Sequence, residues 1–340
     1  MKRILIDLNK LSNLNCGLGQ VALNFGKTLS EVETNLELNY LVPTEYVGFF
    51  GNKINYYTSK SIADVKNEFN LWHCIHQEPL ILPNDSTKLL ITIHDLNFLG
   101  EKNNRKAAKR LKKLQTLVNR ADKLTFISEF SKKVALNNLK YDKDKTFVIY
   151  NGVNTSLEEE KPKVHPDKFF FSIGVFKLKK NFHVLIPVMK HFPEYKFIIA
   201  GDTTGKYYKN LKKLVNKHNL ENQILFPGII SEQEKTWYYR NCEAFLFPSL
   251  YEGFGLPVIE AMQNGVPVVT SDKTVLPEIG GAYSFIFEDF DECTIKTKIN
   301  EAILKYQNNT EFKTDAIKYA NEYTWTRNVK EYLKIYDEQI

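Results

Sequence analysis

Long apolar runs and paired cysteines are both missing from this sequence. No window holds roughly 18 consecutive apolar residues, so we expect no transmembrane helix. The cysteines form no C-x-x-C pair, and none lies near a histidine at metal-ligand spacing, which favours reduced thiols in a cytosolic protein. They are Cys16, Cys74, Cys242 and Cys293. The opening segment MKRILIDLNK turns polar too soon for a signal peptide and predicts a first strand instead.

A strong charge of either sign is absent as well. The formal net charge is +6, and most of it can be assigned to one segment, EKNNRKAAKRLKKLQ. We therefore expect no nucleic acid partner. The length of 340 residues predicts about two domains.

Apolar runs rich in β-branched and aromatic residues alternate with segments of helical period along the whole chain. This alternation predicts parallel sheets covered by helices on both faces, which is an α/β fold. The predicted strands are Arg3–Leu8, Leu38–Val42, Leu71–Ile75, Leu89–His94, Leu124–Ile127, Phe147–Ile149, Phe169–Ile173, Lys196–Ala200, Gln223–Phe226, Ala244–Phe247 and Val266–Thr270. The predicted helices are Leu18–Ser30, Arg105–Asn119, Phe130–Asn138, Lys180–His191, Tyr207–Lys217, Glu232–Arg240 and Pro257–Gln263. The segment SEQE, residues 231–234, is a capping box for one of them.

A polar, turn-rich segment interrupts the alternation at residues 150–168, YNGVNTSLEEEKPKVHPDK. It predicts a linker between two doubly wound, Rossmann-like domains. Ligands of such sheets bind at the carboxyl ends of the strands. Two domains of this kind that face a cleft suit a ligand with two ends, such as a nucleotide joined to another group.

One stretch, YEGFGLPVIEAMQNGVPVVT at residues 251–270, carries the chemistry that is easiest to interpret. It follows the predicted strand Ala244–Phe247 and runs into a helix that Pro257 helps to start. Backbone N–H groups at residues 253–256 would point at an anion, since the helix dipole favours negative charge there. Glu252 and Glu260 would repel a phosphate, but each can accept hydrogen bonds from the vicinal hydroxyls of a sugar.

These features fit a nucleoside diphosphate sugar, with its phosphates on the turn and a diol at each glutamate. The alternative is that Glu252 is solvated, Glu260 lies on a helix surface and the glycines only form a turn. From the residues alone, both interpretations stay open.

The stretch resembles the glutamate-x7-glutamate signature of retaining GT-B glycosyltransferases, family 4, also called glycosyl transferases group 1. Further segments resemble the same family in the same order over nearly the whole chain. They are CGLGQVALNFGKTL, TIHDLNFL, ADKLTFISEFSKK, VIYNGVN, GVFKLKKNFHVLI, FPGIISEQEKTWYYRNCEAFLFPS, TVLPEIGG and YTWTRNVKEYLKIY. The resemblance implies an N-terminal acceptor-binding domain over 1–153, a nucleotide-sugar-binding domain over 154–324, and a last helix, 325–340, that packs back on the first domain.

The resemblance also implies roles for individual residues. His94, Lys180 and Glu252 would be catalytic: His94 contacts the donor sugar, Lys180 neutralises the diphosphate, and Glu252 holds the hydroxyls of the sugar. The remaining donor-binding residues would be Gly17, Gly19, Lys177, Phe254, Gly255, Leu256 and Glu260. Without the resemblance, His94 would be a strand-end histidine bonded locally to Asp95, and Lys180 a solvated lysine.

The sequence departs from the family pattern at one position. The family usually carries an arginine after the glycine of its phosphate-binding strand, whereas Val175 follows Gly174 here. Lys177 or Lys179 would then supply the charge, as a point charge and not as a bidentate fork.

The family further implies a retaining transfer of a hexose to a saccharide or lipid-linked saccharide acceptor in polysaccharide biosynthesis. GDP-mannose is favoured as the donor and a UDP-sugar is possible; the nucleotide sugar is a co-substrate, and no other cofactor is expected. We expect no metal either, because the triplets DKD at 142–144 and DFD at 289–291 lie in polar connections. The alternatives are a GT-B sugar-nucleotide epimerase, a non-catalytic carbohydrate-binding relative, and an NAD-dependent enzyme, whose fingerprint GLGQVA at 17–22 matches.

The basic segment at residues 102–113 has two interpretations. Ala107, Leu111, Leu114 and Val118 recur at helical spacing, which predicts an amphipathic helix. In the first, this is an ordinary surface helix of the domain and its cations face water. In the second, the cations face an anionic membrane and bring the protein to a lipid-linked acceptor. The second interpretation places a cytoplasmic protein at the inner face of the cell membrane.

Overall fold

The structure, a computed structural model, describes residues 2–14, 16–64, 68–154 and 158–339. Its strands are β1 Lys2–Asp7, β2 Leu36–Leu41, β3 Asn55–Tyr57, β4 Leu71–Cys74, β5 Lys88–Ile93, β6 Lys123–Phe126, β7 Thr146–Val148, β8 Phe169–Ile173, β9 Lys196–Ala200, β10 Ile224–Gly228, β11 Ala244–Phe247, β12 Val268–Ser271 and β13 Ser284–Phe287. Its helices are α1 Gly17–Glu31, α2 Phe98–Glu101, α3 Asn104–Arg120, α4 Glu129–Asn138, α5 Leu185–Val188, α6 Lys206–Lys217, α7 Glu232–Asn241, α8 Leu256–Gln263, α9 Leu276–Gly280, α10 Glu292–Asn308, α11 Thr310–Ala320 and α12 Trp325–Gln339.

The chain divides into two compact units. Unit 1 comprises residues 1–152 and 323–340, and unit 2 comprises residues 153–322. Within the described residues, the sheet of unit 1 has seven strands in the order β3-β2-β1-β4-β5-β6-β7, and each neighbouring pair is parallel. Parallel strands need long crossovers, and helices such as α1, α3 and α4 supply them.

The last helix, α12, belongs to unit 1 and is held there by buried polar contacts. The Tyr336 hydroxyl lies 2.7 Å from His73 Nδ1, and the Tyr332 hydroxyl lies 2.9 Å from Thr92 Oγ1. The start of α12 approaches the chain near Gly152 so closely that a Cβ at this glycine would lie 2.2 Å from Trp325 N. Glycine is therefore required at residue 152.

Unit 2 contains a second parallel sheet. In its described residues the strand order is β10-β9-β8-β11-β12-β13, and every neighbouring pair is parallel. Its core is rich in aromatic residues, as the sequence composition suggests. The ring of Phe170 stacks on Tyr195 at 4.8 Å, and the ring of Phe171 stacks on Tyr238 at 5.0 Å.

The predicted fold class is confirmed, because both units are doubly wound parallel sheets. In each sheet the strand order reverses beside its first strand, between β1 and β4 in unit 1 and between β8 and β11 in unit 2. These reversals are topological switch points, where such folds bind ligands. The capping box is confirmed too, since Ser231 and Glu234 each accept from the other's backbone N–H.

One predicted helix is wrong. Residues 180–191 form short 3₁₀ turns and the four-residue helix α5 instead of one continuous helix. The reason is Asn181, whose φ of 57° places it in the left-handed region and turns the chain. As a result Lys180 ends the 3₁₀ turn Leu178–Lys180 and does not begin an α-helix.

Several elements are absent from the sequence-based prediction, namely β3, β13, α2, α9, α10 and α11. Residues 155–157 of the predicted linker and residue 340 of the predicted last helix lie outside the described residues. None of the helices in the described part of the chain combines the length and the apolar character that a membrane crossing requires.

Candidate active site

The turn that joins β11 to α8 is built to present backbone N–H groups. Gly255, the N-cap of α8, has φ 91°, and a Cβ there would lie 3.0 Å from Leu276 Cδ2. Pro257 follows within the first turn, where its missing N–H removes no helical hydrogen bond. The N–H groups at this end of the helix, including that of Leu256, precede the first intrahelical hydrogen bond. The turn therefore suits an anion.

An ion pair lies beside this turn. Lys180 Nζ is 2.5 Å from Glu252 Oε1, and the exposed fractions of the two side chains are only 10% and 13%. The Ser249 hydroxyl lies 2.5 Å from the same carboxylate oxygen. The lysine ammonium also lies 4.7 Å from the centre of the Phe247 ring, on the last residue of β11. A nearly buried cation is thus held where β11 ends.

The backbone around this pair ties together the segments that follow β8, β11 and β12. Leu250 N donates to Lys179 O at 2.7 Å, and Glu252 N donates to Thr274 Oγ1 at 3.1 Å. After β8 the chain turns at Gly174, where a Cβ would lie 3.1 Å from Lys180 Cε. The lysine stem therefore packs directly on the end of β8, at the switch point of unit 2.

The second glutamate of the stretch, Glu260, lies on α8 and is anchored by α7. Its Oε1 lies 3.1 Å from Lys235 Nζ, and its Oε2 accepts a 2.9 Å hydrogen bond from the Tyr239 hydroxyl. Burial and the neighbouring charge of Glu260 raise the pKa of Tyr239 well above its ordinary value. Burial lowers the pKa of Lys235, but the charges of Glu260 and Glu232 outweigh it and the pKa is raised. Glu260 keeps further lone pairs for a ligand, since a carboxylate has about four acceptor positions.

The structure brings Lys180 to Glu252, which precedes Gly255 and Leu256 in the turn before α8. Phe254, between Glu252 and Gly255, is buried. In contrast, Lys177 is exposed, and Val175, at the position of the family arginine, is 38% exposed.

The predicted residues of unit 1 have different environments. His94 follows β5, is buried, and donates from Nε2 to Ile75 O at 2.7 Å. Burial lowers its pKa to about 4, so the ring is neutral near pH 7. Because Nε2 carries the proton, Nδ1 is left as an acceptor.

Gly17 and Gly19 lie in the first turn of α1 and not in a loop. A Cβ at Gly19 would lie 2.0 Å from Asn13 O, which explains this glycine by packing, whereas a Cβ at Gly17 would meet nothing within 4 Å. A 3₁₀ helix, Asn9–Ser12, separates β1 from α1. A dinucleotide fingerprint needs a tight turn directly after the first strand, and this geometry does not provide it.

Four residues of the site escape the sequence analysis: Ser249, Thr274, Lys235 and Tyr239. A signal for two of them exists, because Lys235 and Tyr239 are four residues apart on a helix and so share one face. Nothing in the sequence indicates that this face meets Glu260.

The two D-x-D triplets serve the backbone. Asp142 accepts from Asp144 N, and Asp291 caps α10 by accepting from Cys293 N and Thr294 N. In the described part of the chain, no group of three or more His, Cys, Asp or Glu residues is arranged to hold a metal ion.

Comparison with known proteins gives consistent results. The family model for "Glycosyl transferases group 1" matches residues 154–322, and that for "Glycosyltransferase Family 4" matches residues 51–157. The chain is similar to the serotype-specific mannosyltransferase WbdA of Escherichia coli, with 28% identity over 166 residues, 47% of this chain and 20% of that protein. It is also similar to the O-antigen chain mannosyltransferase RfbU of Salmonella typhimurium, with 32% identity over 168 residues, 49% of this chain and 46% of that protein.

The matching segment therefore spans about a fifth of WbdA and less than half of RfbU. Among solved structures, the chain resembles Anabaena Alr3699/HepE in complex with UDP-glucose, with a TM-score of 0.78. The identity is 17%, and the match covers 99% of this chain and 100% of that one. At this identity the likeness is one of fold.

Proposed function

Because the chain belongs to the GT-B glycosyltransferases of group 1, we propose that it is a retaining hexosyltransferase. It moves a hexose from a nucleoside diphosphate sugar to a saccharide or lipid-linked saccharide in polysaccharide biosynthesis. The observation that carries this proposal is the nearly buried Lys180–Glu252 pair beside the N-terminal turn of α8. That site offers a cation and N–H groups for a diphosphate, together with a carboxylate for hydroxyl groups.

The roles follow from the chemistry of each group. The diphosphate binds at the N–H groups of Gly255 and Leu256, with Lys180 beside it. Glu252 accepts hydrogen bonds from hydroxyls of the hexose, and Glu260 accepts them from the ribose diol. Negative charge grows on the diphosphate as the glycosidic bond breaks, so fixed donors and a positioned cation stabilise the transition state.

In this scheme the nucleotide sugar is the co-substrate, and no resident cofactor takes part. The leaving phosphate accepts the proton of the attacking hydroxyl on the same face, which preserves the anomeric configuration. His94 acts from unit 1, the acceptor-binding domain of this proposal. Its Nδ1 accepts from a hydroxyl of the donor sugar, while its Nε2–H stays bonded to Ile75.

The relatives support mannose as the transferred sugar. WbdA and RfbU are both named as mannosyltransferases, and RfbU acts on the O-antigen chain. We therefore favour GDP-mannose. A UDP-sugar is the second candidate, because the HepE structure contains UDP-glucose.

A peripheral membrane contact through α3 would bring unit 1 to a lipid-linked acceptor at the inner face of the cell membrane. Six cations at residues 102–113 are exposed, namely Lys102, Arg105, Lys106, Lys109, Lys112 and Lys113. Arg110 instead donates to Glu78 from Nε at 2.8 Å, which ties α3 to the loop that carries Leu80. Leu80 is 78% exposed, so an apolar side chain accompanies the cations. The charge pattern suits anionic lipid.

A thermal-shift screen tests the donor. GDP, UDP and ADP, each free and as its mannose and glucose conjugates, are added to the purified chain. A ligand present at about 100 times its Kd stabilises the folded state by roughly 2.7 kcal/mol, so the true donor raises Tm clearly. Nucleotide release that depends on added acceptor, with the product anomer assigned by NMR, then identifies a retaining transfer.

Two results would contradict the proposal. The first is that no nucleotide sugar raises Tm. The second is that the donor is converted to an isomeric sugar without any acceptor, which is the behaviour of an epimerase.

A further inference from the structure

The switch point of unit 1 contains polar groups that the proposed donor site does not use. Asp7 is the last residue of β1, Asn9 follows it, and His76 comes two residues after β4. β1 and β4 are hydrogen-bonded neighbours, with Asp7 opposite Cys74 in the register. The three side chains therefore start from the carboxyl ends of the two strands between which the strand order reverses, where open α/β sheets bind ligands.

Each of these side chains has a buried polar atom with no hydrogen-bond partner among the described residues. The atoms are Asp7 Oδ2, Asn9 Nδ2 and His76 Nε2. The exposed fraction is 0% for Asp7 and 2% for His76. Buried polar atoms are nearly always paired in native proteins, so three such atoms at one sheet edge require an explanation.

The hydrogen bonds that these residues do make fix what they offer. Asp7 Oδ1 accepts from Asn9 N at 3.0 Å, which leaves Oδ2 as an acceptor. His76 Nδ1 accepts from Glu78 N at 3.1 Å, so the ring proton of the neutral histidine is on Nε2, a donor. The Asn9 amide is a second donor. One acceptor and two donors are thus available at the same edge.

Burial and neighbouring charges shift the pKa values of two of these groups. Burial raises the pKa of Asp7 to about 6, and the backbone N–H of Asn9, the Asn9 side chain and the charge of Lys10 oppose this rise. Burial lowers the pKa of His76 to about 3, and Lys10 and His94 lower it further. The charge of Lys10 thus acts on both groups. At the equivalent edge of unit 2, in contrast, Lys180 and Glu252 satisfy each other.

We propose that Asp7, Asn9 and His76 form the subsite in unit 1 that binds ring hydroxyls of the saccharide acceptor. This inference rests on the proposed transfer function, and it names residues for the acceptor. A sugar hydroxyl both donates and accepts, so a vicinal pair can satisfy a carboxylate, an amide N–H and an imidazole N–H together. A phosphate has acceptors only, and the Asp7 carboxylate would repel it. A mixed set of donors and acceptors therefore favours a neutral, hydroxyl-rich ligand.

The test measures binding and not only turnover. The methyl α-glycosides of mannose, glucose and galactose are titrated into the full chain and followed by saturation-transfer NMR. Asp7→Asn removes the charge with little change of shape. His76→Asn retains an oxygen near the position of Nδ1 to accept from Glu78 N, and it removes Nε2. Asp85→Asn, an exposed carboxylate of unit 1, is the matched control.

We expect the Kd of the bound glycoside to rise at least about fivefold in Asp7→Asn and in His76→Asn, and to stay unchanged in Asp85→Asn. The melting temperature of Asp7→Asn should not fall, because Oδ2 has no partner in the protein to lose. The Kd of the nucleotide sugar should match that of the wild type. A failed donor screen with intact glycoside binding would thus contradict the transfer function and leave this subsite standing.

Three outcomes would overturn the subsite. In the first, no glycoside of the panel binds the wild type. In the second, both variants bind as well as the wild type, which means that the unpaired atoms hold solvent only. In the third, the Kd of the nucleotide sugar rises and that of the glycoside does not, which would assign the hydroxyls to the donor.

Discussion

Lys180 Nζ lies 2.5 Å from Glu252 Oε1, although 72 residues separate the two along the chain. The pair joins the segments that follow β8 and β11, the two strands between which the order of the second sheet reverses. Both side chains are almost buried, so neither charge is well solvated. The pair therefore contributes to both the stability and the electrostatics of the edge where a ligand of unit 2 would bind.

Removing the lysine charge should impair turnover more than binding. For Lys180→Met we expect kcat to fall by roughly 10²–10³, because a positioned charge acts most strongly on the transition state. Steady-state kinetics with the donor found in the screen measure this change. Lys190→Ala, which removes an exposed lysine of the same unit, should leave kcat unchanged. A normal kcat in Lys180→Met would remove Lys180 from the mechanism.

The same pair gives a prediction about stability. Breaking a buried ion pair from one side leaves the other charge uncompensated, which costs about 3–5 kcal/mol, whereas removing both partners costs less. Glu252→Gln and Lys180→Met should therefore each lower the free energy of unfolding by more than the double variant does. Urea denaturation of the four proteins forms a complete double-mutant cycle. Additive losses would indicate that the two charges act independently.

Glu260 should recognise the ribose. We expect Glu260→Gln to weaken GDP binding by about 10- to 100-fold, since hydrogen bonds to a charged acceptor contribute roughly 1.5–3 kcal/mol. The sharper measurement compares GDP with 2′,3′-dideoxy-GDP. The wild type should prefer GDP strongly, and Glu260→Gln should lose most of that preference.

Glu252→Gln is the companion variant for this comparison. It should keep the preference for GDP and chiefly lower turnover with the intact donor. If Glu260→Gln weakens both nucleotides equally, the contact with the ribose is contradicted and Glu260 affects binding only through the fold.

The sequence predicts the framework of this site well and its internal contacts poorly. Strands β8, β9 and β11 have the predicted bounds, because buried parallel strands are short, continuous apolar runs. The partnership of Lys180 with Glu252 is a long-range contact that no local pattern encodes. The continuous helix predicted over residues 180–191 fails because the left-handed conformation of Asn181 depends on the surrounding packing.

The polar groups of the proposed acceptor subsite are absent from the sequence analysis for a related reason. Asp7, Asn9 and His76 look ordinary in the sequence, since a polar residue at a strand end is common. Only the strand order, with β4 beside β1, brings them to one edge. The lack of partners for their buried atoms is a property of the packed structure and cannot be read from composition.

Activity should not depend on a divalent metal. Asp142 and Asp291, from the two D-x-D triplets, already accept from backbone N–H groups at helix starts, and Lys180 supplies a cation near the proposed diphosphate position. We expect turnover to be unchanged, within twofold, in excess EDTA after extensive dialysis. A loss of activity that magnesium or manganese restores would show that the diphosphate binds as a metal complex.

Acid should destabilise unit 1 through three buried histidines. Burial lowers the pKa of His73 and His76 to about 3 and that of His94 to about 4, against 6.5 in the unfolded chain. Below pH 6.5 the unfolded state therefore binds more protons than the folded state does. The contribution of the neutral histidines to stability is fully present above that pH and is lost as the pH drops. Each of the three histidines should lower the free energy of unfolding by about 2 kcal/mol between neutral pH and pH 5. Asp7, whose pKa is raised to about 6, has the opposite sign and offsets about 1 kcal/mol.

Urea denaturation at pH 7.5 and pH 5 measures this difference. Asp7→Asn removes the opposing contribution, so its stability should fall more steeply with acid than that of the wild type. Equal stability of the wild type at the two pH values would show that the three histidines titrate normally in the folded protein.

The basic face of α3 gives a prediction that separates membrane attraction from simple solvation. Three of its exposed cations, Lys109, Lys112 and Lys113, are reversed together to glutamate. Each basic side chain near an anionic surface contributes about 1 kcal/mol, so the partition coefficient on anionic vesicles should fall at least about tenfold at low salt.

Helix α6 of unit 2 offers a matched control, because its exposed Lys209, Lys212 and Lys213 have the same spacing and their reversal changes the net charge equally. Co-sedimentation at low and high salt measures both variants, and wild-type binding should weaken as screening increases. If both variants lose affinity equally, the attraction depends on net charge alone. If the wild type stays in the supernatant at low salt, α3 is an ordinary surface helix whose cations face water.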